Sequence, residues 1–206
     1  MMFGTEIKIC GLSRIEDVVA VNRFGAEYAG FVFYKKSKRY VDPYKAGELI
    51  EFLRSDIKSV GVFLDEPLDN VISAARISGV EMVQLHGHES EEYIEYVRRT
   101  LERPVIKAFK ADEEGALERA KKTCADYIMI DSGAGTGKKF DWNILNGFGR
   151  KFFLAGGLDP DSVGDAVSLL DPFAVDVSSG VETDGVKDEE KIEKFIKAVK
   201  HGGRYA

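Results

Sequence analysis

Short runs of β-branched and aromatic residues alternate with helically spaced apolar stripes along the whole chain. The runs fall at 6–10, 28–33, 58–63, 82–85, 104–109, 126–130, 151–154 and 173–177. Several, such as YAGFVF, YIMI and FAVDV, are apolar almost throughout, as parallel strands covered on both faces are. Between them, Ile15, Val18, Val19 and 22–24 form a helical stripe, and Pro67 stands near a helix start, where proline is tolerated. The segment SEEYIEYVRRTLE, opening on Ser90, reads as a capping-box start. Asp159 and Asp188 read as N-caps before SVGDAVSLL and EEKIEKFIKAVK. A new strand begins roughly every 22–30 residues, the period of one β-loop-α unit. Eight such units with no long linker predict an α/β fold, a (β/α)8 TIM barrel, as a single domain over residues 1–206. The alternative, an open doubly wound sheet, normally has five or six parallel strands, so the count favours the barrel. The sixth unit leaves room for only a short helix at 141–146.

Composition narrows the partners. A length of 206 residues sits at the lower end for such a barrel. The formal net charge of −6 argues against a nucleic-acid partner, because no basic excess exists to neutralise phosphates. A single phosphate held by backbone N–H groups is compatible with it. No apolar run approaches the ~20 residues of a membrane span, and MMFGTEIKIC lacks the basic-then-apolar secretory pattern. Two cysteines, Cys10 and Cys124, are too few for a disulfide framework, which predicts a reducing cytoplasm.

A barrel places its chemistry at the C-terminal ends of its strands. Cys10-Gly11 ends the first run, and the second leads into the basic stretch from Lys35 to Arg39. His86 follows the fourth run and Asp131 the sixth. Gly156-Gly157 and Ser178-Ser179-Gly180 follow the last two, where barrels commonly hold phosphate against backbone N–H groups. Each turn alone reads equally well as a tight βα connection; the pair at these two strands favours phosphate. Cys10 alone reads as a small buried hydrophobe, but its place at the mouth makes it a candidate reactive group. Asp131 reads either as a turn former or as an acid facing Cys10 across the mouth. An arginine in the 35–39 loop suits a carboxylate, or that loop is merely solvated. Cys124 precedes the sixth strand at the opposite end and reads as structural. GAGTGKK at 133–139 has the wrong glycine spacing for a P-loop and Lys139 where its Ser or Thr belongs. His86 and His88 lack an obvious third ligand, so no metal is expected.

The segments KICGL, GFVFYKKSKRY, VQLHGHE, IDSGAGTGKKFDW, LAGGLDPDSV and PFAVDVSSGVE occur in order over nearly the whole chain. In these the sequence resembles the phosphoribosylanthranilate isomerase family of tryptophan biosynthesis. The resemblance implies an Amadori rearrangement without a cofactor, on a phosphorylated small-molecule substrate. Asp131 would be the general acid and Cys10, as thiolate, the general base. Arg39 would hold the anthranilate carboxylate, with His86 facing the substrate and Asp176 near the sugar hydroxyls. Gly156, Gly157, Ser179 and Gly180 would bind the phosphate. An indole-glycerol-phosphate synthase would carry a lysine where Cys10 stands, and a silent phosphosugar-binding protein would not need the Cys10–Asp131 pair. A monomer and a homodimer both stay open, as does a histidine-pathway aminoaldose as second substrate.

Overall fold

The computed structural model describes residues 4–133, 142–145 and 147–202. Eight parallel strands close on themselves: β1 (Glu6–Cys10), β2 (Tyr28–Val32), β3 (Lys58–Phe63), β4 (Met82–Leu85), β5 (Val105–Lys110), β6 (Tyr127–Asp131), β7 (Phe152–Ala155) and β8 (Ala174–Val177). The helices α1 (Ile15–Phe24), α2 (Pro43–Ile50), α3 (Leu68–Ser78), α4 (Glu91–Leu101), α5 (Ala116–Lys122), α6 (Val163–Leu170) and α7 (Glu189–Gly202) lie outside them. Among the described residues between β6 and β7 the helical position holds a 3₁₀ turn, Trp142–Leu145, in keeping with the short sixth unit. The predicted strands agree to within one residue at each end, and the one-residue shift at β6 puts Asp131 inside the strand rather than after it. The GAGTGKK motif lies, beyond Gly133, outside the described residues.

The apolar runs arise because each strand is covered twice. On β1, Ile7 and Ile9 point outward into the layer shared with the helices, whereas Lys8 and Cys10 point into the barrel. The interior is filled by Val60, Met82, Ile106, Met129, Phe153 and neighbours, so the barrel is a packed core rather than a pore. Above that plug, Cys10, Val32 and Val62 form the last apolar layer beneath the mouth.

Three local expectations need correction. On α1 the buried face is Asp17, Val18, Ala20 and Val21, while Ile15 and Val19 are exposed. Asp17 wins its place by accepting the N–H groups of Ser13 and Arg14, which otherwise lack helical partners. At α4, Ser90 Oγ accepts from Tyr93 N, but the third residue after Ser90 is Tyr93 rather than Glu or Gln. The reciprocal half of a capping box therefore cannot form. Pro67 does cap α3, and Asp188 accepts from Lys191 N at the start of α7. Asp159 instead ties down the turn before α6, accepting from Asp161 N and Ser162 N.

Candidate active site

The strand ends surround a cavity of about 460 Å³ at the C-terminal mouth. Cys10, Arg39, His86, Asp131, Gly156, Gly157, Asp176 and Ser179 all line it. Among the expected site residues Gly180 alone stands behind the wall. A side chain there would collide with the Leu158 carbonyl, so glycine lets the loop after β8 press against the loop after β7. A larger depression of about 630 Å³ opens at the opposite end, around Phe148, Arg150 and Phe173. It holds neither cysteine and none of the expected site residues.

Asp131 ends β6 beside Lys110 of β5 and Ala155 of β7. Its Oδ2 lies 3.1 Å from His86 Nε2, and its Oδ1 accepts from Gly133 N at 2.8 Å. Gln84 Nε2 stands 2.8 Å from His86 Nδ1. An amide donor on Nδ1 leaves the imidazole proton on Nε2, aimed at Asp131. Burial pushes the Asp131 carboxyl up, but the His86 and Gly133 hydrogen bonds outweigh it and the net direction is down. Gln84 Oε1 is buried with no partner among the described residues. His88 turns away and pairs with Asp65 at 3.1 Å, so the two histidines do not converge.

Cys10 ends β1 opposite Gly30 of β2. Burial pushes its thiol up; Lys8, and to a lesser degree Lys187, pull against this, and Asp176 adds to it. The surroundings therefore favour the proton on the sulfur and the charge on Asp131. Cys124 is exposed near the barrel's other end, as expected of a cysteine outside the site, with its thiol pushed up to about 11 by burial and by Glu91.

The family profile described as N-(5'phosphoribosyl)anthranilate (PRA) isomerase matches residues 7–198. An N-(5'-phosphoribosyl)anthranilate isomerase of Clostridium acetobutylicum is 44% identical over 204 residues, covering 95% of this chain and 98% of the relative. The crystal structure of phosphoribosyl anthranilate isomerase from Thermotoga maritima superposes with a TM-score of 0.87 at 38% identity, covering 96% of this chain and 99% of that one. A second solved phosphoribosyl anthranilate isomerase, in complex with reduced 1-(o-carboxyphenylamino)-1-deoxyribulose 5-phosphate, gives 0.85 at 36% identity, covering 96% and 99%. This chain belongs to the N-(5'-phosphoribosyl)anthranilate isomerase family.

Around this isomerase cavity the structure adds charges that the sequence did not single out. Arg39 is already engaged, with Glu182 accepting from its Nε at 2.6 Å and from its Nη2 at 2.7 Å. Glu182 belongs to a hairpin of β9 (Glu182–Thr183) and β10 (Val186–Lys187), and Lys187 Nζ donates to it as well, at 2.5 Å. The two cations outweigh burial and hold the Glu182 carboxyl below its usual range. Lys8 sits under the floor with its Nζ 2.7 Å from Asp176 Oδ1. A signal for Lys8 was present: it is a charge two residues before Cys10, on the same inward face of an apolar strand. Neither Glu182 nor Lys187 stands out in the sequence, because Arg39 lies 143 residues from Glu182 and the Glu182–Lys187 pair forms only across the β9–β10 hairpin.

Proposed function

We propose that this site converts N-(5-phosphoribosyl)anthranilate into 1-(2-carboxyphenylamino)-1-deoxyribulose 5-phosphate with Asp131 as acid and Cys10 as base. One observation carries the reading: a carboxyl from β6 and a thiol from β1 face a single cavity flanked by a guanidinium and two glycine-containing loops. The phosphate rests on the backbone of Gly156, Gly157 and Ser179, and Gly180 holds the second loop against the first. Arg39 takes the aromatic carboxylate, and the Asp176 oxygen not given to Lys8 faces the sugar hydroxyls.

Asp131 gives its proton to the furanose ring oxygen. The C1–O bond breaks, and the nitrogen lone pair forms the C1=N bond of a Schiff base. The Cys10 thiolate then takes the C2 proton, and the released electron pair becomes C1=C2 while the C=N pair returns to nitrogen. Ketonisation moves the enol proton from O2 to C1. No electrons leave the substrate, so two positioned proton carriers suffice. Each turnover transfers one proton from Asp131 to Cys10, and that proton has to return before the next. His86 orients the acid through its hydrogen bond.

The closed strand order supports reading residues 1–206 as one domain. No helix among the described residues is long and apolar enough to cross a membrane. Two free cysteines and a biosynthetic reaction support a cytoplasmic site of action. Steady-state turnover of phosphoribosylanthranilate, with the histidine-pathway aminoaldose alongside, tests the reading. Turnover of the first substrate is expected, and its absence would leave only a binding protein.

A further inference from the structure

We infer that Lys8 is a positioning residue for the reaction, a buried ammonium beneath the cavity floor that Asp176 holds in place and that keeps Cys10 available as thiolate. The inference rests on the reading of Cys10 as the base. Lys8 and Cys10 alternate along β1 and share its inward face. Lys8 is fully buried and does not line the cavity, whereas Asp176 and Cys10 do, so the ammonium acts from below and touches no substrate. Lys8 and Asp176 are register partners across the β1–β8 seam, with Nζ 2.7 Å from Oδ1.

Gly30 brings the thiol into this arrangement. A Cβ built on it would stand 2.8 Å from Cys10 Sγ and 3.1 Å from Lys8 Nζ. Sulfur and ammonium therefore crowd the same bare patch of β2, and any side chain at position 30 would push between them. Among the described residues four charges act on the thiol: Lys8 from β1, Asp176 from β8, Lys187 from β10 and Arg39 from the loop after β2. Lys187 and Arg39 are both committed to Glu182. Lys8 opposes the effect of burial on Cys10 more than any other group, and is itself held above the usual lysine value by Asp176 and Cys10 despite its own burial. A buried charge acts strongly because little water screens it.

The test titrates Cys10 directly, by the pH dependence of its alkylation by iodoacetamide in a Cys124→Ser background, together with the pH profile of kcat/KM on phosphoribosylanthranilate. Lys8→Met is expected to raise the alkylation midpoint by roughly one to two pH units. It is also expected to lower kcat/KM at neutral pH at least about tenfold, since each unit removes a tenfold share of thiolate. Lys8→Arg keeps the charge and should leave the midpoint near that of the parent. Should Lys8→Met fail to fold, Lys8→Met/Asp176→Asn removes both charges together, and a smaller rise in the same direction is expected. An unchanged midpoint in the folded Lys8 variant, or an equal rise in Lys8→Arg, overturns the inference. A raised midpoint with unaltered kcat/KM would support the Lys8–Cys10 coupling while removing Cys10 as the base.

Discussion

Arg39 and Glu182 meet edge to edge through two hydrogen bonds, and Lys187 donates to the same Glu182 Oε1 that accepts from Arg39 Nε. Two cations share one anion, so this corner of the mouth carries an excess positive charge that an anionic ligand group would balance. Arg39→Ala is therefore expected to raise KM about 10- to 100-fold with little change in kcat, the scale of one lost charge-assisted hydrogen-bond pair. A substrate analogue lacking the aromatic carboxylate should bind parent and variant alike. Equal losses for both ligands would mean that Arg39 does not contact the carboxylate.

Asp131→Asn keeps the size of the side chain but removes the transferable proton. Turnover is expected to fall by about 10²-fold or more. Affinity for a reduced, non-reacting product analogue should change by less than about tenfold, because the phosphate loops and Arg39 are untouched. Calorimetry and kinetics on the same variant separate the roles. Analogue binding lost together with activity would make Asp131 a binding residue.

The opposite shifts of the two groups set the pH profile. Cys10 titrates above its usual range and Asp131 below its own, so between them the pair holds one proton, mostly on sulfur. The reactive form, with thiolate and carboxylic acid, is the minor arrangement of that same proton, and its share is constant between the two limbs. kcat/KM should thus run flat through neutrality, falling with acid only below the ordinary carboxylate range and with alkali only above the ordinary thiol range. His86→Asn removes a hydrogen bond that lowers Asp131 and should move the acid limb upward. A narrow peak near pH 6 would contradict the assignment.

Gly156 has φ +95°, and a Cβ there would stand 2.5 Å from Asp131 Oδ1 and 2.6 Å from Ser132 N. Gly156→Ala is expected to cost about 1–3 kcal/mol through backbone strain. It should also displace the acid, so Tm and kcat fall together in thermal melts and steady-state assays. Unchanged kcat in a destabilised variant would show that Asp131 tolerates the intrusion.

Strand placement was legible because most strand positions are buried on both faces, which leaves several runs, such as YIMI and FAVDV, apolar almost throughout. The strand ends that line the mouth cavity were legible because Cys10, His86 and Asp131 each follow or end such a run. The α1 stripe was misjudged because Asp17 is buried by capping bonds that no hydrophobic pattern reveals. The sequence put Arg39 at the mouth, where the structure has it, but hid its attachment to Glu182, which lies 143 residues away in sequence. Protonation was equally hidden: the direction for Cys10 depends on a burial and a lysine that only the closed barrel brings together.

The seam between β1 and β8 has a consequence for how the chain is made. Lys8 meets its counter-ion across 168 residues of sequence. As the chain emerges amino-terminus first, β1 waits with one bare hydrogen-bonding edge and an ammonium that no carboxylate has yet answered. An uncompensated ammonium is costly to bury, so water has to stay at the first strand until the eighth arrives. Joining the two ends shuts the edge, neutralises the lysine and lays down the surroundings of the thiol in a single event. A truncated or half-assembled chain thus lacks the environment that would make its cysteine a base, and chemical competence comes only with closure.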